Sequence, residues 1–349
     1  MKPNTLPTCL PELLEGWYEE HKRSLPWRQD RQPYHIWVSE IMLQQTRVEA
    51  VKGYYTRFLQ RLPDIEALAH CDDQQLHKLW EGLGYYSRVR NLKKAAQTIM
   101  DVYGGSFPKT HAEILALPGI GPYTAGAICS IAYDLPTPAV DGNVLRLVSR
   151  LWNDETPIDT PAMKSRVTEA LAAIYPPKAG LFTQALMELG ATVCGPDRLP
   201  DCDFCPCKDI CLGHGQGHPE RLPKKSPKRD KRLEEKTVFI LECQGRYALG
   251  RREDKGLLAG LWEFPNVEGA LSPQQALEQL ETWNLQPRDL EKIINRKHVF
   301  THIIWQMQGV YARVEYPQEE FTWMTPEEIE EQAALPTAFR LFWEECDHV

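Results

Sequence analysis

Nowhere in the 349 residues do eighteen or more apolar side chains follow one another, so no segment has the hydrocarbon length that spans a bilayer. The opening stretch MKPNTLPTCLPELLEGW lacks the basic-then-apolar order of a secretory signal. A small-secreted disulfide framework is missing as well: there are ten cysteines, but several are bunched into one short run. These absences predict a cytosolic protein without membrane contact, and the bunching predicts a metal. An excess of positive charge is also lacking, with 40 Lys and Arg against 48 Asp and Glu. The net charge of −8 argues weakly against a nucleic-acid partner, although distribution matters more than the sum. Residues 1–220 are near balance, with 22 basic and 26 acidic side chains, whereas 233–349 carry 11 and 21 and hold much of the deficit.

The 42% apolar content suffices for two ordinary domains. From Pro11 to about Tyr175, segments such as PELLEGWYEEHKRS, DQQLHKLWEGL and RVRNLKKAAQTIMDVY repeat apolar residues three and four apart and stop at Pro or Gly. That pattern predicts an all-α first part. The stretch 212–235 has Gly, Pro and charge without apolar period and reads as a linker. Seven of its twelve residues from Arg221 to Arg232 are basic, either as a solvated tether or as a contact with a phosphate backbone. Beyond it, TVFILECQGRYALGRR, HVFTHIIWQMQGVYARVEY and FTWM read as strands, and SPQQALEQLETWNL and PEEIEEQAAL as helices. An α+β domain follows the helical one.

Three constellations carry chemistry. Cys194, Cys202, Cys205 and Cys211 are separated by seven, two and five residues, with Cys207 inside the run. Such thiol density suits an iron–sulfur cluster or tetrahedral zinc, against the bland reading of incidental thiols. LPGIGPYTAGAI places Gly119 and Gly121 in a tight turn before a helix start, whose amides can receive a phosphate; a simple packing joint is the alternative. Glu40 sits among Ile36, Trp37, Val38, Ile41, Met42 and Leu43, where a buried carboxyl would have a raised pKa and act as a general acid; the alternative is a solvated surface Glu. Asp141 precedes an amphipathic helix as either an N-cap or a second catalytic acid. Two carboxyls in different environments are equipment for cleaving a glycosidic bond.

Taken together, PYHIWVSEIMLQQTRV, EGLGYYSRVRNL, LPGIGPYTAGAICSIAY, VDGNVLRLVSR and the four cysteines resemble the MutY adenine DNA glycosylases of the helix-hairpin-helix superfamily that includes endonuclease III. The likeness runs from about Leu13 to Phe342. It implies an iron–sulfur helical domain from residues 1–30 and 138–220, a six-helix barrel bearing the hairpin over 31–137, the linker over 212–235, and a Nudix-like domain over 236–349. The fold class expected is therefore multi-domain: an all-α helix-hairpin-helix core with a [4Fe–4S] loop, then an α+β domain. It implies a [4Fe–4S] cofactor on Cys194, Cys202, Cys205 and Cys211, although the family usually places six residues between its first two cysteines, not seven. It also implies a monomer working on double-stranded DNA with A·8-oxoguanine or A·G mispairs, in the bacterial cytosol with the chromosome.

By position, Glu40 resembles the acid that protonates the flipped adenine, and Asp141 the group that stabilises the sugar cation. Tyr123 and Asn143 resemble their helpers. Arg23, Leu25, Trp27 and Arg28 match residues of the adenine pocket, and Gln184 is assigned there as well. Gln45, Leu83 and Tyr85 resemble the wedge that fills the space left by the extruded base, with core packing as the alternative. Gly119 and Gly121 would grip the DNA backbone. Tyr123 stands where endonuclease III has a Lys, which implies a glycosylase without an efficient lyase step, because a phenol forms no Schiff base. In the last domain GLLAGLWEFPNVE matches a Nudix opening, but the metal-binding carboxylate run is replaced by SPQQALEQLETWNL, so nucleotide hydrolysis is not expected. Phe300, Thr301 and His302 resemble a Phe-Ser-His loop that recognises 8-oxoguanine. An endonuclease III-like pyrimidine glycosylase and a non-catalytic lesion-binding module are the competing accounts, and Tyr123 with the Glu40–Asp141 pair weighs against them.

Overall fold

The structure is a computed structural model and describes residues 5–196, 199–227 and 230–346. Asp197 and Arg198, between the first two clustered cysteines, and Lys228 and Arg229 of the basic run lie outside the described residues. The chain divides into two compact units. One comprises Met1–His70 and Arg90–Pro227, the other Cys71–Val89 and Lys228–Val349.

In chain order the helices are α1 (Leu10–His21), α2 (Pro33–Leu43), α3 (Val48–Arg61), α4 (Ile65–His70), α5 (Asp73–Leu79), α6 (Ser87–Tyr103), α7 (His111–Leu115), α8 (Pro122–Tyr133), α9 (Gly142–Trp152), α10 (Pro161–Ala172), α11 (Ala179–Thr192), α12 (Leu212–Gly215), α13 (Pro273–Thr282), α14 (Pro326–Gln332) and α15 (Thr337–Trp343). All but α5 and the last three lie wholly or mostly in the first unit, where every regular element described is helical. None among the described residues is long and apolar enough to cross a membrane.

Local chemistry explains where these helices begin. Asp141 caps α9 by accepting the Val144 amide at 2.8 Å. Thr160 caps α10, and Thr110 with Glu113 forms a capping box on α7. Leu10, Leu14 and Tyr18 of α1 meet Leu147 and Leu151 of α9 and Phe182, Leu186 and Leu189 of α11 in one core. Helices α2 and α8 differ, because nearly their whole length is buried: Ile36–Met42 on one and Thr124–Ile131 on the other. A helix apolar all round belongs at the centre of its unit. These two pack against each other, and so the polar groups they carry are held away from bulk water.

The second unit is built on strands β1 (Arg232–Cys243), β2 (Arg246–Arg251), β3 (Trp262–Glu263), β4 (Asn266–Glu268), β5 (Pro287–Val299), β6 (Ile303–Val314) and β7 (Thr322–Met324). Their order is β3-β2-β1-β6-β5, with β4 added to β1 and β7 to β2. The β1–β6 pair is parallel and runs in register from Arg232 opposite Ile303 to Glu242 opposite Arg313; β5 and β6 are antiparallel. Buried side chains on β1 alternate between two cores. Val238 and Ile240 face Phe339, Phe342 and Trp343 of α15, whereas Phe239 and Leu241 face Ala276 and Leu280 of α13. Helices on both faces make β1 a central strand, which accounts for its unbroken apolar run. The segment 71–89 joins this unit through Glu81, which accepts the Leu335 amide at 3.0 Å and pairs with Arg340 at 2.9 Å.

The structure corrects the expected cofactor. Among the described residues no group of three or more His, Cys, Asp or Glu side chains could hold a metal ion. The [4Fe–4S] cluster on Cys194, Cys202, Cys205 and Cys211 falls with that finding, as do the zinc alternative, the cluster loop in the fold class and the cluster in the family likeness. Three of the four thiols have protein partners. Arg150 Nη1 donates to Cys194 Sγ at 3.1 Å, Cys211 donates to the Arg150 carbonyl at 3.4 Å, and buried Cys207 is hydrogen-bonded to Cys205. Burial pushes the Cys194 and Cys211 thiols up and Cys202 to about 11, whereas the hydrogen bond from Cys207 brings Cys205 down. The architecture is therefore an all-α core followed by an α+β domain.

Candidate active site

Where α2, α8, α9 and α11 converge, a cleft of about 730 Å³ opens in the first unit. Its walls include Glu40, Tyr123, Asp141 and Asn143, together with Arg23, Leu25, Trp27, Arg28 and Gln184. Residues that lie far apart in sequence are thus brought to one hollow. Gln45 lines it too, with its backbone at a φ of 58° just past the end of α2.

The two carboxyls are held differently. Glu40 is 6% exposed, and its Oε2 accepts the Tyr123 hydroxyl at 2.5 Å. Burial raises its pKa to about 7; the phenol opposes that rise, while the negative charge of Asp141 adds to it. Asp141 is half-buried and accepts twice, from the Val144 amide at 2.8 Å and from Asn143 Nδ2 at 2.6 Å. Burial raises Asp141 as well, against these two donors. Two nearby acids cannot both ionise freely. Two donors hold Asp141, whereas Glu40 has only the phenol and titrates at about 7, so the two acids sit in different environments.

Asn143 is itself oriented. Arg146 Nη2 donates to its Oδ1 at 2.7 Å, which turns the amide nitrogen towards Asp141. Arg146 also binds the carbonyls of Gly190 at 2.7 Å and Cys194 at 2.8 Å. Gly190 allows α11 this close: a Cβ there would lie 2.7 Å from Asn143 Cβ.

Several residues of the cleft, Arg146 and Glu188 among them, were not singled out by sequence. Glu188, wholly buried on α11, accepts Arg23 Nε at 2.6 Å and Arg28 Nη2 at 2.7 Å. Burial pushes its carboxyl up, but these two arginines outweigh that and hold it below the usual range. The available signal was an acid inside the apolar run ALMELGA, one helical turn beyond Gln184. Gln184 in turn accepts the Tyr18 hydroxyl at 3.2 Å, and Trp27 meets Tyr55 edge-on at 5.6 Å.

The hairpin glycines lie where a tight turn enters α8. Gly119 has φ 76° and would place a Cβ 2.6 Å from Asn91 Cβ, so both angle and space exclude a side chain. Gly121 is the N-cap of α8 and supplies no side-chain cap, leaving the first amides of that twelve-residue helix uncapped by its own side chain. Leu83, Tyr85, Phe300, Thr301 and His302 do not line the cleft; they lie in the second unit. Leu83 is buried, while Tyr85 is 48% exposed, and its hydroxyl meets Thr301 Oγ1 at 3.2 Å. Phe300 sits edge-on to His298 at 4.5 Å and to Trp305 at 4.8 Å, and Thr301 and His302 are exposed at the β5–β6 turn.

Comparison with known proteins bears on both units. Residues 38–173 match the family described as HhH-GPD superfamily base excision DNA repair protein, and residues 237–345 match the NUDIX domain. An adenine DNA glycosylase of Rattus norvegicus is 35% identical over 410 residues, spanning 97% of this chain and 78% of its own length. Its counterpart in Mus musculus is 37% identical over 356 residues, spanning 85% and 69%. Among solved structures, a thermostable thymine-DNA glycosylase matches with a TM-score of 0.53 and 26% identity, covering 59% of this chain and 95% of that one.

Proposed function

Because the chain belongs to the adenine DNA glycosylase family, we propose that it hydrolyses the N-glycosidic bond of adenine paired with 8-oxoguanine or guanine in duplex DNA. It is a DNA glycosylase acting on adenine mispairs, and double-stranded DNA is its partner. We take it to act as a monomer in the cytosol. One observation carries the chemistry: a buried carboxyl with a pKa of about 7 beside a second carboxyl fixed by two donors.

In this reading a flipped adenine enters the cleft among Leu25, Trp27, Arg23, Arg28 and Gln184. Glu40 gives its proton to N7, which turns the purine into a neutral leaving group. As the bond to the sugar breaks, positive charge develops on the ring, and Asp141 lies ready to stabilise it or to form a transient bond that water then opens. Tyr123 holds Glu40 in place and cannot form a Schiff base, so the abasic product is left without strand cleavage. Gln45 and the exposed Tyr85 fill the vacated stack, with Leu83 packed in the core behind Tyr85's loop, and the hairpin amides near Gly119 and Gly121 take backbone phosphates. Phe300, Thr301 and His302 read the opposite base. Flipping costs a few kcal/mol, least at a mispair, which favours the proper substrate before chemistry begins.

The test is a single-turnover assay on A·8-oxoguanine, A·G and thymine-glycol duplexes, with and without alkali. Cleavage of the first two only after alkali is expected. Strand scission without alkali, or action on thymine glycol alone, would overturn the reading in favour of a pyrimidine glycosylase with lyase activity.

A further inference from the structure

The basic run after the cysteines begins as a strap tied to the first unit. Arg150, itself 3% exposed, donates through Nε to the carbonyls of Pro219 and Leu222, each at 3.0 Å, and Leu222 is buried. Two residues later the Ile158 amide donates to the Lys224 carbonyl at 3.1 Å. Ser226 then donates its amide and its hydroxyl to Asp159 Oδ1, both at 3.0 Å. Lys225 lies between these last two anchors, and it lines the same cleft as Glu40 and Asp141. Asp159 and Lys164, at the start of α10, line it as well.

Among the described residues, five basic side chains line this cleft: Arg23, Arg28, Arg146, Lys164 and Lys225. The first two are committed to Glu188, and Arg146 to Asn143 and two carbonyls. Lys164 and Lys225 are exposed. A nucleotide drawn into the hollow remains joined to phosphates on both sides, and these must rest at its mouth. Ammonium groups there need no sequence information and would serve every substrate alike.

We propose that the strap from Pro219 to Ser226 is a phosphate-gripping element, in which the Asp159–Ser226 clasp positions Lys225, together with Lys164, against the backbone phosphates flanking the nucleotide in the cleft. The proposal rests on the functional reading above. Asp159 and Ser226 are positioning residues; the lysines make the contact. An acid beside a DNA site is otherwise unfavourable, and its use as the anchor for Ser226 gives it a reason to be there.

The experiment measures duplex affinity against KCl concentration, with a mispaired duplex and a fully paired one. Full-length protein carrying Glu40→Gln prevents turnover during titration. Lys164→Ala and Lys225→Ala should each flatten the slope of log affinity against log salt by about 0.9, and should weaken both duplexes in equal proportion. Lys225→Arg should keep the slope. Asp159→Ala should flatten it as Lys225→Ala does, and adding Lys225→Ala to Asp159→Ala should change it little further. Unchanged slopes in both lysine variants would overturn the proposal, and so would full additivity of Asp159→Ala with Lys225→Ala. A parallel excision assay on unaltered protein separates the two levels: no adenine release sinks the functional reading, whereas normal release with unchanged slopes sinks the strap alone.

Discussion

The cleft of the first unit and the β5–β6 turn of the second differ most in how their polar groups meet water. In the cleft, Glu40, Asp141, Asn143 and Glu188 each have protein partners at 2.5–2.8 Å, and Glu40 and Glu188 are buried. At the turn, Thr301 and His302 stand exposed, with Thr301 bonded to the hydroxyl of Tyr85. Acid–base work needs a shifted pKa, and a shift needs desolvation. Recognition of an outside base needs reach, and its hydrogen bonds are completed only when that base arrives. Buried, partnered groups therefore fit chemistry, and exposed ones fit reading.

The strongest challenge to this division is Glu40→Gln, which keeps the shape and removes the proton. Single-turnover adenine release should fall by at least ~10²-fold, with far less change in duplex affinity. Equal losses in both would mean that Glu40 serves binding. The same variant sharpens the point through pH. With a folded value of about 7 against an ordinary value of 4.5, the natural Glu40 is neutral at pH 4 and must ionise while buried at pH 8. Its contribution to stability is full below the unfolded pKa and is lost as pH rises through the folded one. Glu40→Gln should therefore match the natural protein in thermal stability at pH 4, below the unfolded value, and exceed it at pH 8, by up to about 3 kcal/mol. A gain at both pH values would place the effect in packing.

At the turn, the Phe300→Ala and His302→Ala double variant should lose roughly tenfold of the preference for A·8-oxoguanine over A·G, at about 1–3 kcal/mol per base contact. Its adenine release from A·G should stay close to normal. Unaltered preference in side-by-side single-turnover rates would return discrimination to the helical unit. The smallest effect is expected for Thr301→Val, which removes only the hydroxyl that meets Tyr85. A change of about 1 kcal/mol in relative duplex affinity is expected, readable by titrating the two mispairs.

How far the sequence disclosed all this depended on the range of each signal. The longer helices of the first unit, such as α1 and α6, follow a 3.6-residue period that needs no distant partner, so these elements were legible. The strand β5 was read only at its end, because RDLEKIINRK is charged and pairs at the sheet edge beside β6. Helix α15 escaped for another reason: seven residues are too few to display a period, and tertiary packing against Val238 and Ile240 holds it. In the site, Glu188 was hidden because its meaning comes from Arg23 and Arg28, some 160 positions away. The cysteine run erred in the opposite direction. Spacing along the chain is visible in sequence, whereas where the sulfurs point and what else binds them is settled by Arg150 and by burial.

Asp141 joins two obligations in one side chain. The oxygen that accepts the Val144 amide closes the first turn of α9, while its neighbour on the same carboxyl takes the Asn143 amide beside Glu40. Mutational drift at this position is therefore filtered twice. Most replacements would fray a helix that carries part of the core of its unit, and they would be lost as misfolded protein before their chemistry was ever put to use. Asparagine is the narrow exception, since its carbonyl can still cap the helix while its charge is gone. A lineage that took that step would keep a well-folded protein with an intact grip on DNA and an impaired reaction, a form capable of occupying lesions and shielding them from repair.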